Sequence, residues 1–161
     1  MQLRLKLKGI TLMETLVYLA LFGVIFTAMV QFSISVAQST HSAELRQHIE
    51  RAKVFVLQHV DDSFGKANSI DLLNTVLDND NGKVRLLNSG GFYEYSLSSG
   101  TLHFNHNDTI SDLTNSKVNV DRFYLQAVEV KTDTVGIRMT LQLSSKTGNE
   151  TETIESLFIV K

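Results

Sequence analysis

From Ile10 to Val30 the chain runs for 21 residues with one charged side chain, Glu14. About 20 apolar residues, rising ~1.5 Å each, cross a ~30 Å hydrocarbon layer. A run of this length must lie in lipid or against protein, which constrains every fold open to the chain. Glu14 is the exception within it. An ionised side chain costs ~2.5–3.5 kcal/mol near a bilayer centre and less near an end, so this carboxylate calls for a partner. Arg4, Lys6 and Lys8 precede the run without an acid, Gly9 closes that basic segment, and no Lys or Arg follows until Arg46. That asymmetry orients the N-terminus toward the cytoplasm. Ala20, Gly23, Thr27 and Ala28 are small enough to let another helix approach closely.

No glycine or proline interrupts the chain after Gly23 until Gly65. Leu45, Ile49, Ala52, Val56 and Val60 recur at i, i+4, i+7, i+11 and i+15, one stripe of a helix. The spacing predicts a helix from Ile10 to Asp61 or Asp62, roughly 75–80 Å long, apolar all round in its first half and amphipathic in its second. Ser63-Phe64-Gly65-Lys66 reads as its stop, with Gly65 in the left-handed terminal position.

Beyond Gly65 the period becomes two. Val84 and Leu86, then Tyr93, Tyr95 and Leu97, alternate with polar residues, and Ser98-Ser99-Gly100 turns into Leu102 and Phe104, a hairpin signal. A connection from Asn105 to Ser116 leads to Val118 and Val120, then Phe123, Leu125, Val128 and Val130. The clearest strand carries Val135, Ile137, Met139, Leu141 and Leu143, and Lys146-Thr147-Gly148-Asn149 turns into Thr153–Val160. Short connections favour antiparallel pairing. The stripe from Leu45 to Val60 is the apolar surface available to cover one face of such a sheet. The expected fold class is α+β: a long N-terminal helix packed on a C-terminal antiparallel β-sheet head. The divisions are a basic leader, 1–9, a long helix, 10–62, and a β-rich head, 63–161.

Lys8-Gly9 followed by Ile10-Thr11-Leu12-Met13-Glu14 resembles the N-terminal motif of type IV prepilin-like proteins, the type IV pilins and the pseudopilins of type II secretion and DNA-uptake machines. The resemblance covers residues 4 to about 36. Ile10 replaces the commoner Phe, and Gln31 stands where major pilins often carry a kinking proline. The order of the head is similar to that of J-type minor pseudopilins, and Glu14 counts against the outermost tip subunit, which often lacks this acid. The resemblance implies a pilin-like fold and a non-catalytic structural subunit. It implies cleavage between Gly9 and Ile10 by a prepilin peptidase, and N-methylation of the new amine. It also implies pairing of Glu14 with the Ile10 amine of a neighbouring subunit, which offsets the cost of leaving either charge alone. The partners implied are other pilins or pseudopilins, the inner-membrane assembly platform, and the lipid bilayer before assembly. The location implied is the cytoplasmic membrane, spanned once with the N-terminus inside, and then a cell-surface or periplasmic filament.

Other readings of the chain are weaker. Loss of residues 1–9 takes three of the 15 basic residues and none of the 17 acidic ones, moving the formal charge from −2 to −5. An acidic chain without a basic run argues against direct nucleic-acid binding. No cysteine is present, so disulfides are excluded. His103 and His106 with Asp108 contain metal-ligand chemistry, but two positions three apart on a strand face opposite ways. His41, His48 and His59 are spaced too widely along a helix to share an ion and read as solvated or subunit-facing. Asp78-Asn79-Asp80-Asn81-Gly82 starts like a calcium loop, but its glycine is fifth and its twelfth position is Ser89, whereas an EF-hand needs glycine sixth and Glu twelfth. Asn81-Gly82 reads as a tight turn. Asn107-Asp108-Thr109 and Asn149-Glu150-Thr151 are short sequons. With no phosphate loop or nucleophile elbow, no catalytic residue, metal or cofactor is expected. The alternative class is an extracytoplasmic binding domain, either secreted after cleavage behind Ser35-Val36-Ala37 or held by an uncut single-pass anchor.

Overall fold

The computed structural model describes residues 11–131 and 134–160, apart from the side chains of 129–131 and 134–135. A single helix, α1, spans Leu12–Lys66. Two antiparallel sheets follow. The first contains β1 (Ser69–Ile70), β2 (Lys83–Asn88), β3 (Gly91–Ser98), β4 (Thr101–His106) and β5 (Thr109–Asp112), in sequence order. The second contains β6 (Val118–Lys131), β7 (Thr134–Ser145) and β8 (Thr151–Ile159), also in sequence order. The chain is therefore α+β, a pilin-like arrangement of one long N-terminal helix packed against antiparallel sheets in the C-terminal part. By its internal contacts it divides into two units, 1–41 and 42–161.

Within the second unit the helical stripe is buried: Leu45, Ile49, Ala52, Val56 and Val60 are 8, 2, 6, 0 and 1 % exposed. Ile49, Ala52, Val56 and Val60 share one core with Val84 and Leu86 of β2, Tyr95 of β3 and Leu102 of β4, and with the inward residues of β6 and β7. Ile137, Met139, Leu141 and Leu143 all face inward from β7, as strict alternation requires. On β6 the inward set changes phase, from Val118 and Val120 to Phe123 and Leu125. The cause is a register shift between Val120 and Arg122: one extra residue in a strand moves every later side chain to the opposite parity.

Five expectations need correction. The helix runs to Lys66, one turn past Asp62, because Ser63 and Phe64 are also buried against the head. Ser63 Oγ lies 2.6 Å from the Tyr95 hydroxyl, and Phe64 stacks on Phe158 at 5.0 Å. Gly65 is exposed in that last turn and has no left-handed backbone. The head has two sheets rather than one. The connection from Asn105 to Ser116 contains β5, reached through Asn107 and Asp108 with φ of 48° and 70°, the paired positive values of a type I′ hairpin turn. Asn81-Gly82 does not turn a hairpin. Val76 bridges Lys83 across a longer loop, and Asn81 bridges Phe123 of β6. Gly82 is there for close approach, since a Cβ on it would stand 2.5 Å from the Phe123 carbonyl oxygen.

The candidate assembly helix

The first unit offers no cover for its side chains. Every described residue from Thr11 to His41 is exposed, and the segment is long and apolar enough to cross a membrane. Sixteen large apolar side chains between Leu12 and Val36 stand open, from Leu12 at 80 % to Val30 at 42 %. Burying each is worth ~1.5–3 kcal/mol, so a lipid or protein surround would stabilise this segment by tens of kcal/mol. The polar atoms along it are prepared for such a surround. The Thr27, Ser33 and Thr40 hydroxyls donate to the carbonyls of Gly23, Met29 and Val36 at 2.8, 2.9 and 2.9 Å. Each bond satisfies a donor that lipid could not.

Glu14 sits in the first turn of α1. Thr11 precedes the helix and its Oγ1 accepts from the Glu14 backbone N–H at 3.3 Å, while its carbonyl accepts the same N–H at 3.0 Å. Thr-x-x-Glu is a capping-box sequence, and a carboxylate in the first turn is favoured by the helix dipole. The Tyr18 hydroxyl donates to Glu14 Oε1 at 3.3 Å. Sequence reasoning overlooked both the cap and Tyr18, although the Thr11-to-Glu14 and Glu14-to-Tyr18 spacings advertise them. Arg4, Lys6, Lys8, Gly9 and Ile10 lie outside the described residues.

The other sequence candidates are dispersed. His103 Nδ1 lies 2.8 Å from Asp112 Oδ1, whereas His106 packs on Tyr93 at 5.0 Å. Among the described residues no three His, Cys, Asp or Glu side chains converge as metal ligands. Asp78 accepts from the Tyr124 hydroxyl at 3.0 Å, and Asp80 pairs with Arg122 at 2.5 Å. The Asp78–Gly82 segment is thereby tied to β6. His41 is exposed, and His48 approaches Lys117 Nζ at 3.1 Å.

His59 is half-buried rather than freely solvated. Its ring meets Phe104 edge-on at 4.4 Å, and its Nδ1 lies 2.7 Å from the Tyr95 hydroxyl. That hydroxyl also reaches the His59 carbonyl at 3.1 Å and Ser63 Oγ at 2.6 Å. Burial lowers the imidazole pKa and raises that of the Tyr95 phenol. This polar knot fixes the helix against β3 and β4. A histidine on an amphipathic helix gives no periodic signal for such a role.

Comparison with protein-family models, curated proteins and solved structures finds no match to this chain.

Proposed function

We propose that the chain is a non-catalytic structural subunit, a minor pilin or pseudopilin, of a type IV pilus, type II secretion or DNA-uptake filament. The single observation that carries this reading is the uncovered apolar segment of α1 with Glu14 at its start, on the same helix that builds the core of the β head. Prepilin peptidase cuts between Gly9 and Ile10, the bilayer holds the helix before assembly, and the inner-membrane platform passes it to other pilins. The Ile10 α-amine, a cation below a pKa of ~8, then pairs with Glu14 of a neighbour and sets the axial register between helices.

The proposed role of Glu14 is tested by co-purification with partner pilins. Glu14→Ala should be cleaved but incorporated at least tenfold less than the parent. Glu14→Gln keeps hydrogen bonding without the charge and should fail similarly. Normal incorporation of both variants would leave Glu14 as a helix cap and remove the ion-pair mechanism.

A further inference from the structure

Two apolar features of the second unit lack cover, and they lie in different elements. The first is the turn at residues 71–74, just after β1. Leu73 at its tip is 97 % exposed and Leu72 57 %. This turn is held in place. The Asp71 carbonyl accepts from the Asn74 N–H at 3.3 Å and from Thr75 Oγ1 at 2.7 Å, and Asp71 Oδ2 accepts from Asn74 Nδ2 at 2.7 Å. The Asp71 N–H donates to the Arg85 carbonyl at 2.9 Å, and Thr75 Oγ1 accepts from the Arg85 N–H at 3.2 Å. The turn is thus fastened to β2 on both sides. Turn tips open to water usually carry polar or small residues. Here a fixed turn presents two adjacent leucines, an anchor whose ordering cost is already met.

The second feature is a hollow on α1. Val54 is two residues from buried Ala52 and Val56, hence on the opposite side of the helix, and both Val54 and Phe55 are exposed. They line a hollow of ≈ 400 Å³ with Gln47, Glu50, Arg51 and Gln58. Glu50 is engaged by Lys53 at 2.8 Å, whereas Arg51 forms no ion pair among the described residues. The hollow therefore sets apolar surface beside an unengaged cation. The leucine turn is its complement, because Asp71 beside the leucines forms no ion pair among the described residues either.

We propose that the leucine turn of one copy docks in the α1 hollow of a second copy, with Leu72 and Leu73 against Val54 and Phe55 and Asp71 toward Arg51. Charge selects this pairing. Turn against turn would face Asp71 with Asp71, and hollow against hollow Arg51 with Arg51, so only turn against hollow joins opposite signs. The contact does not rest on the filament reading, since it needs neither cleavage nor an assembly platform.

The chain has no cysteine, so single thiols report on the contact cleanly. Full-length Leu72→Cys and Gln58→Cys chains with different tags are reconstituted together in phosphatidylcholine vesicles and treated with a short bismaleimide. The mixed product should exceed either same-site product at least fivefold. Leu73→Asp added to the first chain, or Val54→Asp to the second, should lower it at least fivefold. Both positions are exposed, so the melting temperature should not move and lost product cannot be ascribed to unfolding. The proposal is overturned by a mixed product no larger than the same-site products, or by one that survives both substitutions. Shielding of the Leu72→Cys thiol from a water-soluble maleimide at high lipid-to-protein ratio would place the leucines in the bilayer and overturn it too.

Discussion

At the scale of single residues, the head is fastened by polar contacts that composition does not reveal. His59 is the one with a pH signature. Its folded pKa is depressed by burial, with Asp62 opposing and Lys66 and Tyr95 close by. The unfolded chain therefore takes up the proton more readily. Stability from this group is complete above the unfolded value of ~6.5 and is lost as pH falls below it. Glu44, Glu50 and Asp71 have lowered carboxyl pKa values, and their contributions fade only below about pH 4.5. Urea midpoints should therefore fall between pH 7 and pH 5 in the parent and hold nearly level in His59→Gln. An equal fall in both would assign the effect elsewhere. Two glycines give opposite expectations. Gly82→Ala drives a Cβ into the Phe123 carbonyl and should cost ~1–3 kcal/mol. Gly65→Ala meets nothing within 4 Å and should stabilise the last helical turn by ~0.5–1 kcal/mol, both read from chemical melts.

At the scale of elements, what the sequence reveals depends on burial contrast. The stripe from Leu45 to Val60 is legible because one face of the amphipathic segment is buried and the others are mostly polar, with Val54 and Phe55 the exposed apolar exceptions. β7 is legible because its described side chains alternate between core and solvent. β5 has no such contrast, since all four of its residues are exposed, and only the Asn107-Asp108 turn marks it. Period-two alternation shows which way a side chain faces but not which sheet its strand joins, so the division between β5 and β6 was hidden. The phase change on β6 blurred its pattern in the same way. Val56 tests the joint between helix and sheets. It is 0 % exposed, so Val56→Asp forfeits ~1.5–3 kcal/mol of burial and adds an unpartnered charge. A loss of several kcal/mol should appear in chemical melts. If the variant melted like the parent, the stripe would not carry the core. The ion pairs from α1 to β8 and its preceding turn, Lys53–Glu152 and Arg46–Glu150, are peripheral, and each should contribute ~1 kcal/mol or less.

At the scale of the whole molecule, the two units answer to different solvents. The second has its own core of helix stripe and two sheets. The first exposes an apolar surface that water does not favour. A chain lacking residues 1–34 should therefore be soluble and unfold in one cooperative transition by calorimetry, whereas the full chain should need detergent or lipid. Aggregation of the shortened chain would mean that the head depends on the segment removed. The prepilin-like reading is proposed from the fixed spacing of the Lys8-to-Glu14 motif. The capping role of Thr11 was overlooked because the same residues also fit that motif.

Three fates for the N-terminal segment give three masses. The decisive measurement is the intact mass and N-terminal sequence of the chain made in cells together with a prepilin peptidase. The proposed filament subunit begins at Ile10, with or without a methyl group, and Gly9→Val retains the leader. A chain beginning at Gln38, or one that keeps residues 1–9 beside an active peptidase, would contradict it.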